Sequence, residues 1–140
     1  MNTSEVLHAT CVSYGQFGLL ISGRSGSGKS SLALALMAFG AELVADDRVQ
    51  LQSRDDALVA TCPAAIKGMI EARGVGLLEA KPRDMAIVRL VVDLDQTETE
   101  RLPPHRTITM LGIEVDVVFG KDNPKLAPAL HQLMQIGRRA

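Results

Sequence analysis

The sequence contains no tryptophan, one tyrosine and three phenylalanines in 140 residues. So few rings leave little on which to stack exposed bases, and a platform for single-stranded nucleic acid is set aside. Charge of one sign is also missing. A formal net charge of −1 produces no field that draws the chain to nucleic acid or an anionic membrane, so any basic site has to be local. Long apolar runs are absent from the start of the chain. MNTSEVLHATC carries no basic segment followed by an apolar block, and the longest nearby run covers residues 19–21, which reads as neither an export signal nor a membrane span. The two cysteines, Cys11 and Cys62, sit in apolar stretches without CxxC spacing. They read as small buried thiols, not as a disulfide or metal pair, and fit a reducing cytoplasm.

What is present is enough apolar material, 46%, to close one core, and the chain is expected to form a single α/β domain over residues 1–140. There is no internal repeat. The only linker-like stretch, residues 93–104, is too short to separate two domains. VLHATCVS and GLLIS read as strands around the turn Tyr14-Gly15-Gln16. Residues 29–39 (KSSLALALMAF) are rich in Ala and Leu and stop at Gly40, which predicts a helix with a left-handed cap. Residues 41–45 are a brief apolar run ending in acid. Residues 49–53 and 58–62 flank the polar Arg54-Asp55-Asp56 as a second hairpin. Residues 64–82 carry three glycines and no clean period, and read as loop with short strand pieces. A buried strand over residues 86–92, an acidic connection over 93–101, a strand over 113–119 and a closing helix over 126–136 complete a strand-rich pattern.

Between an apolar strand and the first helix lies Gly23-Arg24-Ser25-Gly26-Ser27-Gly28-Lys29-Ser30, which satisfies G-x-x-x-x-G-K-[ST] in the context that the motif requires. A chance match in a chain of this length has odds of roughly one in a hundred. The glycines let backbone N–H groups turn toward phosphate oxygens, and the helix N-terminus adds positive potential. Lys29 supplies a point charge for β/γ-phosphates, and Ser30 a hydroxyl for Mg²⁺. A flexible Gly/Ser turn capping a helix would leave Lys29 unexplained. Phosphoryl transfer also needs a carboxylate near the metal or the nucleophile. ELVADD, residues 42–47, offers Asp46 and Asp47 at the end of an apolar run. In extended geometry their side chains point to opposite faces, so one of the two is expected to face the phosphates.

Three elements in order, HATCVSYGQFGLLISGRSGSGKSSLAL, LVADD and IEARGVGLLE, resemble the catalytic domain of the HPr kinase/phosphorylase family. These bacterial enzymes phosphorylate a serine of the phosphocarrier protein HPr and share a nucleotide-binding core with phosphoenolpyruvate carboxykinases. The resemblance spans most of the chain and implies that P-loop core, with a P-loop helix and a C-terminal helix. It implies ATP and Mg²⁺ as cofactors, with Gly23, Arg24, Ser25, Gly26, Ser27, Gly28, Lys29, Ser30 and Ser31 around the nucleotide. Lys29 would contact the transferring phosphoryl group, and Ser30, Asp46 and Glu71 would face the metal. Asp47 would take the proton of the serine hydroxyl, His8 would be the catalytic-site histidine on the strand before the loop, and Arg73 would add charge beside the phosphates. The partner implied is HPr or a nitrogen-branch relative, in a cytoplasmic hexamer.

Two departures stand out. His8 lies so near the start that a catalytic core without the family's N-terminal domain is expected. The C-terminal PGR-like segment associated with phosphorolysis is not matched by residues 118–125, where Lys121 and Lys125 cannot reproduce an arginine's bidentate fork. The kinase direction is therefore the expected one. A P-loop kinase of a small metabolite, and a nucleotide-sensing module that binds ATP without turnover, remain the alternatives.

Overall fold

The computed structural model describes residues 3–137. Its central strands, β3 (Phe17–Ser22) and β9 (Met85–Asp93), are buried on both faces, which accounts for their nearly unbroken apolar runs. Alternate side chains serve two cores. Leu19, Ile21, Leu90 and Val92 pack under the helices, whereas Leu20, Val88 and Val91 face the opposite layer.

β3 and β9 pair in parallel, and β9 also pairs in parallel with β11 (Ile113–Phe119). β2 (Thr10–Tyr14) runs antiparallel to β3 and to β4 (Glu42–Ala45). On the other flank β6 (Ala57–Thr61) pairs with the first half of β9, then β5 (Val49–Arg54) and β1 (Ser4–Leu7) follow. β10 (Thr107–Met110) closes a hairpin with β11, giving nine strands in one sheet. The consequence for function is directional. The carboxyl ends of β3, β9, β11 and β4 and the amino end of β2 all open on one edge, where ligands of parallel α/β sheets collect.

Helix α1 (Lys29–Ala38) ends in a Schellman arrangement, with Ala41 N–H donating to the Leu36 carbonyl and Gly40 N–H to that of Met37, Gly40 taking φ 110°. α2 (Leu126–Ile136) packs beside it. Pro128 is tolerated because the first helical turn has no intrahelical N–H partner to lose. No described helix is long and apolar enough to cross a membrane.

The hairpin read from Arg54-Asp55-Asp56 is present, with Asp55 and Asp56 both at positive φ as its two-residue turn requires. Residues 64–82 contain a 3₁₀ turn (Ala64–Ile66) and a separate hairpin of β7 (Met69–Ala72) and β8 (Gly76–Glu79). One expectation changes. The strand read through His8 is broken: β1 belongs to the sheet edge and β2 to its middle, and His8 occupies the bend between them. β10 is a strand in residues 105–112, a stretch whose pattern points to no element. Cys11 and Cys62 are free thiols, Cys11 fully buried and pushed up to about 12 by loss of solvent.

Candidate active site

The loop of residues 23–28 leaves β3 and enters α1 with no side-chain cap and no acid in the first helical turn. The first N–H groups of the helix therefore face outward unpaired, a fit for an anion. Gly23 is required at φ 152°, and a Cβ there would lie 2.5 Å from Ser27 Oγ. Lys29 is 7% exposed, and its Nζ donates to the carbonyls of Gly23 (2.9 Å) and Arg24 (3.1 Å). The cation is thus held by the loop that it serves.

Asp46, equally buried, is the hub of the site. Its Oδ1 accepts from Ser30 Oγ at 2.6 Å and from Thr10 Oγ1 at 3.0 Å, and its Oδ2 accepts from Glu71 N–H at 3.1 Å. One carboxylate ties β2, β7 and the start of α1 together. Asp47 sits at φ 70°, and Arg48 N–H donates back to the Asp46 carbonyl at 2.8 Å. That three-residue turn is of the rare positive-φ kind, and such strain is tolerated where function demands a direction. Asp47 leaves extended geometry at this turn, and of the two carboxylates it is Asp47 that lines the pocket at the loop of residues 23–28, whereas Asp46 stays buried. Asp47 Oδ1 accepts from His8 Nε2 at 2.5 Å, and the two side chains are 63% and 50% exposed.

A pocket of about 180 Å³ opens beside this hub, lined by His8, Thr10, Asp47, Glu71, Arg73 and the loop and helix residues Ser25, Gly26, Gly28, Lys29, Ser30 and Ser31, with Asp46 buried behind Thr10 and Ser30. Arg24 and Ser27 lie elsewhere. The Arg24 backbone N–H donates to both carboxylate oxygens of Asp95, each at 3.1 Å, and its side chain turns the same way. Ser27 lines the neighbouring grooves instead. Among the described residues no three His, Cys, Asp or Glu side chains cluster as a metal cage. A hard cation would here rest on one or two protein oxygens and on substrate phosphates, the usual manner of Mg²⁺.

Residues 1–119 match the family model of the HPr Serine kinase C-terminal domain. The chain belongs to that family. It is 41% identical over 123 residues to an HPr kinase/phosphorylase of Aromatoleum aromaticum, covering 78% of this chain and 39% of the relative. With the HPr kinase/phosphorylase of Stenotrophomonas maltophilia strain K279a it shares 39% identity over 106 residues, 70% of this chain and 34% of that one. The chain thus spans between a third and two fifths of the length of these curated relatives. A solved structure, that of the Hpr(Ser) kinase/phosphatase from Coxiella burnetii, superposes with a TM-score of 0.81 at 26% identity, covering 94% of each chain.

Two residues at the site have no counterpart in the sequence reading. Thr10, fully buried, holds Asp46 through its hydroxyl and receives Asp47 N–H at 3.4 Å. Asp95 anchors Arg24. Thr10 was visible only as one member of HATC, and Asp95 only as one acid among several in the connection after β9. Lys121 lies in the groove beside Arg24 and Asp95, and Lys125 is an exposed residue at the start of α2.

Proposed function

We propose that this domain is a Mg·ATP-dependent protein serine kinase acting on a small phosphocarrier of the HPr type. The observation that carries the reading is the exposed His8–Asp47 pair on the wall of the pocket that also holds Lys29 and Ser30. Bound ATP supplies the γ-phosphoryl group, and Mg²⁺ neutralises charge on its oxygens. Ser25, Gly26 and Gly28 offer backbone to the phosphates, Lys29 adds a fixed cation and Arg73 a mobile one. Ser30, oriented by Asp46, presents its hydroxyl to the metal, with Glu71 as the other acidic oxygen on that side. Asp47 orients the incoming serine hydroxyl and receives its proton, while His8 holds that carboxylate by its ring N–H. Little proton removal is needed early in a loose transition state, so orientation is the main task.

The exposure of the pair favours a macromolecular acceptor, which brings its own surface to cover the site. A metabolite kinase would need a lid, and the span available for one, residues 64–82, is a hairpin of four-residue strands. A sensor without turnover gives no role to a strained Asp47. The test is incubation with γ-labelled ATP, Mg²⁺ and HPr-type carriers. Label on a carrier serine is the expected result, and carriers that remain unlabelled in every case would sink the proposal.

A further inference from the structure

Asp95 lies outside the phosphate pocket, in the turn that follows β9, yet it makes side-chain contacts with the P-loop's outer limb. Both of its oxygens accept the Arg24 backbone N–H, and Oδ1 also accepts Arg24 Nε at 3.4 Å. Its own position is fixed, since Asp95 N–H donates to Asp93 Oδ1 at 2.9 Å. Around it the strand ends are stitched by backbone. Leu94 N–H donates to Ser22 O at 2.9 Å, Gly120 N–H to Asp93 O at 2.9 Å, and Lys121 N–H to Gln96 O at 3.0 Å. The other side of the Arg24 residue faces the chemistry. Its carbonyl accepts Lys29 Nζ at 3.1 Å and Ser27 N–H at 3.1 Å.

A single residue of backbone thus joins the Asp95 carboxylate to the Lys29 ammonium, with Asp95 on its N–H and Lys29 on its C=O. We infer that Asp95 is a positioning residue for phosphate binding: it locks residue 24 so that Lys29 and the loop N–H groups are set before nucleotide arrives. The inference rests on the P-loop part of the proposed function, not on the identity of the acceptor. A charged hydrogen bond to a backbone N–H is shorter and stronger than a neutral one, and it suits a loop whose glycines otherwise leave it many conformations. The Arg24 N–H, then its guanidinium, and Lys121 beyond it hold the Asp95 carboxyl below the usual carboxylate range, so the anchor is an anion at neutral pH. Preorganisation of this kind appears in affinity because the ordering cost is met before binding.

The experiment compares the native chain with Asp95→Ala, Asp95→Asn and Asp95→Glu, using a fluorescent ATP analogue with Mg²⁺. Asp95→Ala is expected to raise the nucleotide Kd by about 10-fold, a shift of about 1.4 kcal/mol. Asp95→Asn should fall between, since it keeps an acceptor but not the charge, and Asp95→Glu should recover most of the affinity. The nucleotide KM should move with Kd while the carrier KM stays put, a split that general unfolding does not produce. Amide hydrogen exchange gives a second reading that needs no ligand: residue 24 should lose protection in Asp95→Ala, and less of it in Asp95→Asn, which keeps an acceptor. Nucleotide affinity within twofold of native in Asp95→Ala, or unchanged protection of residue 24, overturns the inference. A native chain that binds nucleotide but labels no carrier would instead overturn the proposed acceptor and leave Asp95 in its role.

Discussion

Replacing Asp46 tests the site and the fold at once. Asp46→Ala removes the acceptor of three donors, the hydroxyls of Thr10 and Ser30 and the N–H of Glu71. A buried donor left unsatisfied costs about 1–3 kcal/mol. The three are unequal here: all border the pocket, but Thr10 has no exposed surface, whereas Ser30 and Glu71 are solvent-accessible and gain water in exchange. The expected loss is therefore about 2–3 kcal/mol, which for a chain this size lowers Tm by about 6–12 °C. Asp46→Asn behaves differently. Its amide oxygen can stay on the Glu71 N–H, which is a donor only, while its NH₂ turns toward hydroxyls that rotate to accept, so the loss is about 1 kcal/mol. The Ser30 hydroxyl is then reoriented and the negative charge beside it is gone. Thermal melting by circular dichroism measures the first effect, and nucleotide affinity with and without Mg²⁺ measures the second. Asp46→Asn should melt near native and lose most of the Mg²⁺ enhancement of binding. If Asp46→Ala melts within about 2 °C of native, the hub carries no net stability; if Asp46→Asn keeps the full Mg²⁺ enhancement, the metal assignment is wrong.

Asp47→Asn tolerates the positive φ and should bind nucleotide normally while transfer to the carrier drops by about 10²-fold or more, measured as kcat; normal turnover would remove Asp47 from the mechanism. Gly120→Ala places a Cβ 2.5 Å from Leu126 Cδ2 and 3.1 Å from Val92 Cγ1, and should destabilise by about 1–3 kcal/mol in a urea titration, with an unchanged midpoint contradicting the packing. The thiolate is the reactive form of cysteine, so enclosed Cys11, at about 12, should resist a disulfide reagent in the folded protein. Cys62 is half-buried, its thiol raised by partial burial with Lys67 acting the other way, and a reagent can reach it, so one thiol should titrate natively and two after denaturation.

Much of this was legible because it is local. The glycine-rich loop between strand and helix, the helix itself and the Gly40 cap are written in consecutive residues, and the polar turn at Arg54-Asp55-Asp56 is recognisable from composition, although Arg54 belongs to the strand. The remainder depends on partners far apart in sequence. VLHATCVS is uninterrupted as a pattern, and nothing in it marks that Leu7 pairs with Val49 while Thr10 pairs with Ile21. β10 hides because TITM is only four residues, although its β-branched members and the following Leu111-Gly112, both at positive φ, are a hairpin signal. The direction of Asp47 could not be read from LVADD, since strand alternation applies only while the chain stays extended and the turn at residue 47 ends it.

The site divides into two shells with different physics, and the division follows from burial. Lys29 and Asp46 are each 7% exposed and hydrogen-bonded to neighbouring groups, Lys29 through two of its three N–H donors, so their positions are set by the fold. His8, Asp47, Glu71 and Arg73 are exposed, and apart from the His8–Asp47 bond their side chains are free to answer a ligand. Charges inside a protein act through a lower effective dielectric than charges in water, which makes the inner pair suited to holding phosphate and metal with little reorganisation. The outer group gains comparable strength only when an acceptor protein covers it and excludes solvent. Under the proposed function an acceptor would therefore do more than deliver a hydroxyl: by burying Asp47 and Arg73 it would complete the electrostatics of transfer. Phosphoryl loss to water should accordingly stay slow in the uncovered site, where the nucleophile's base is solvated and the mobile cation is screened.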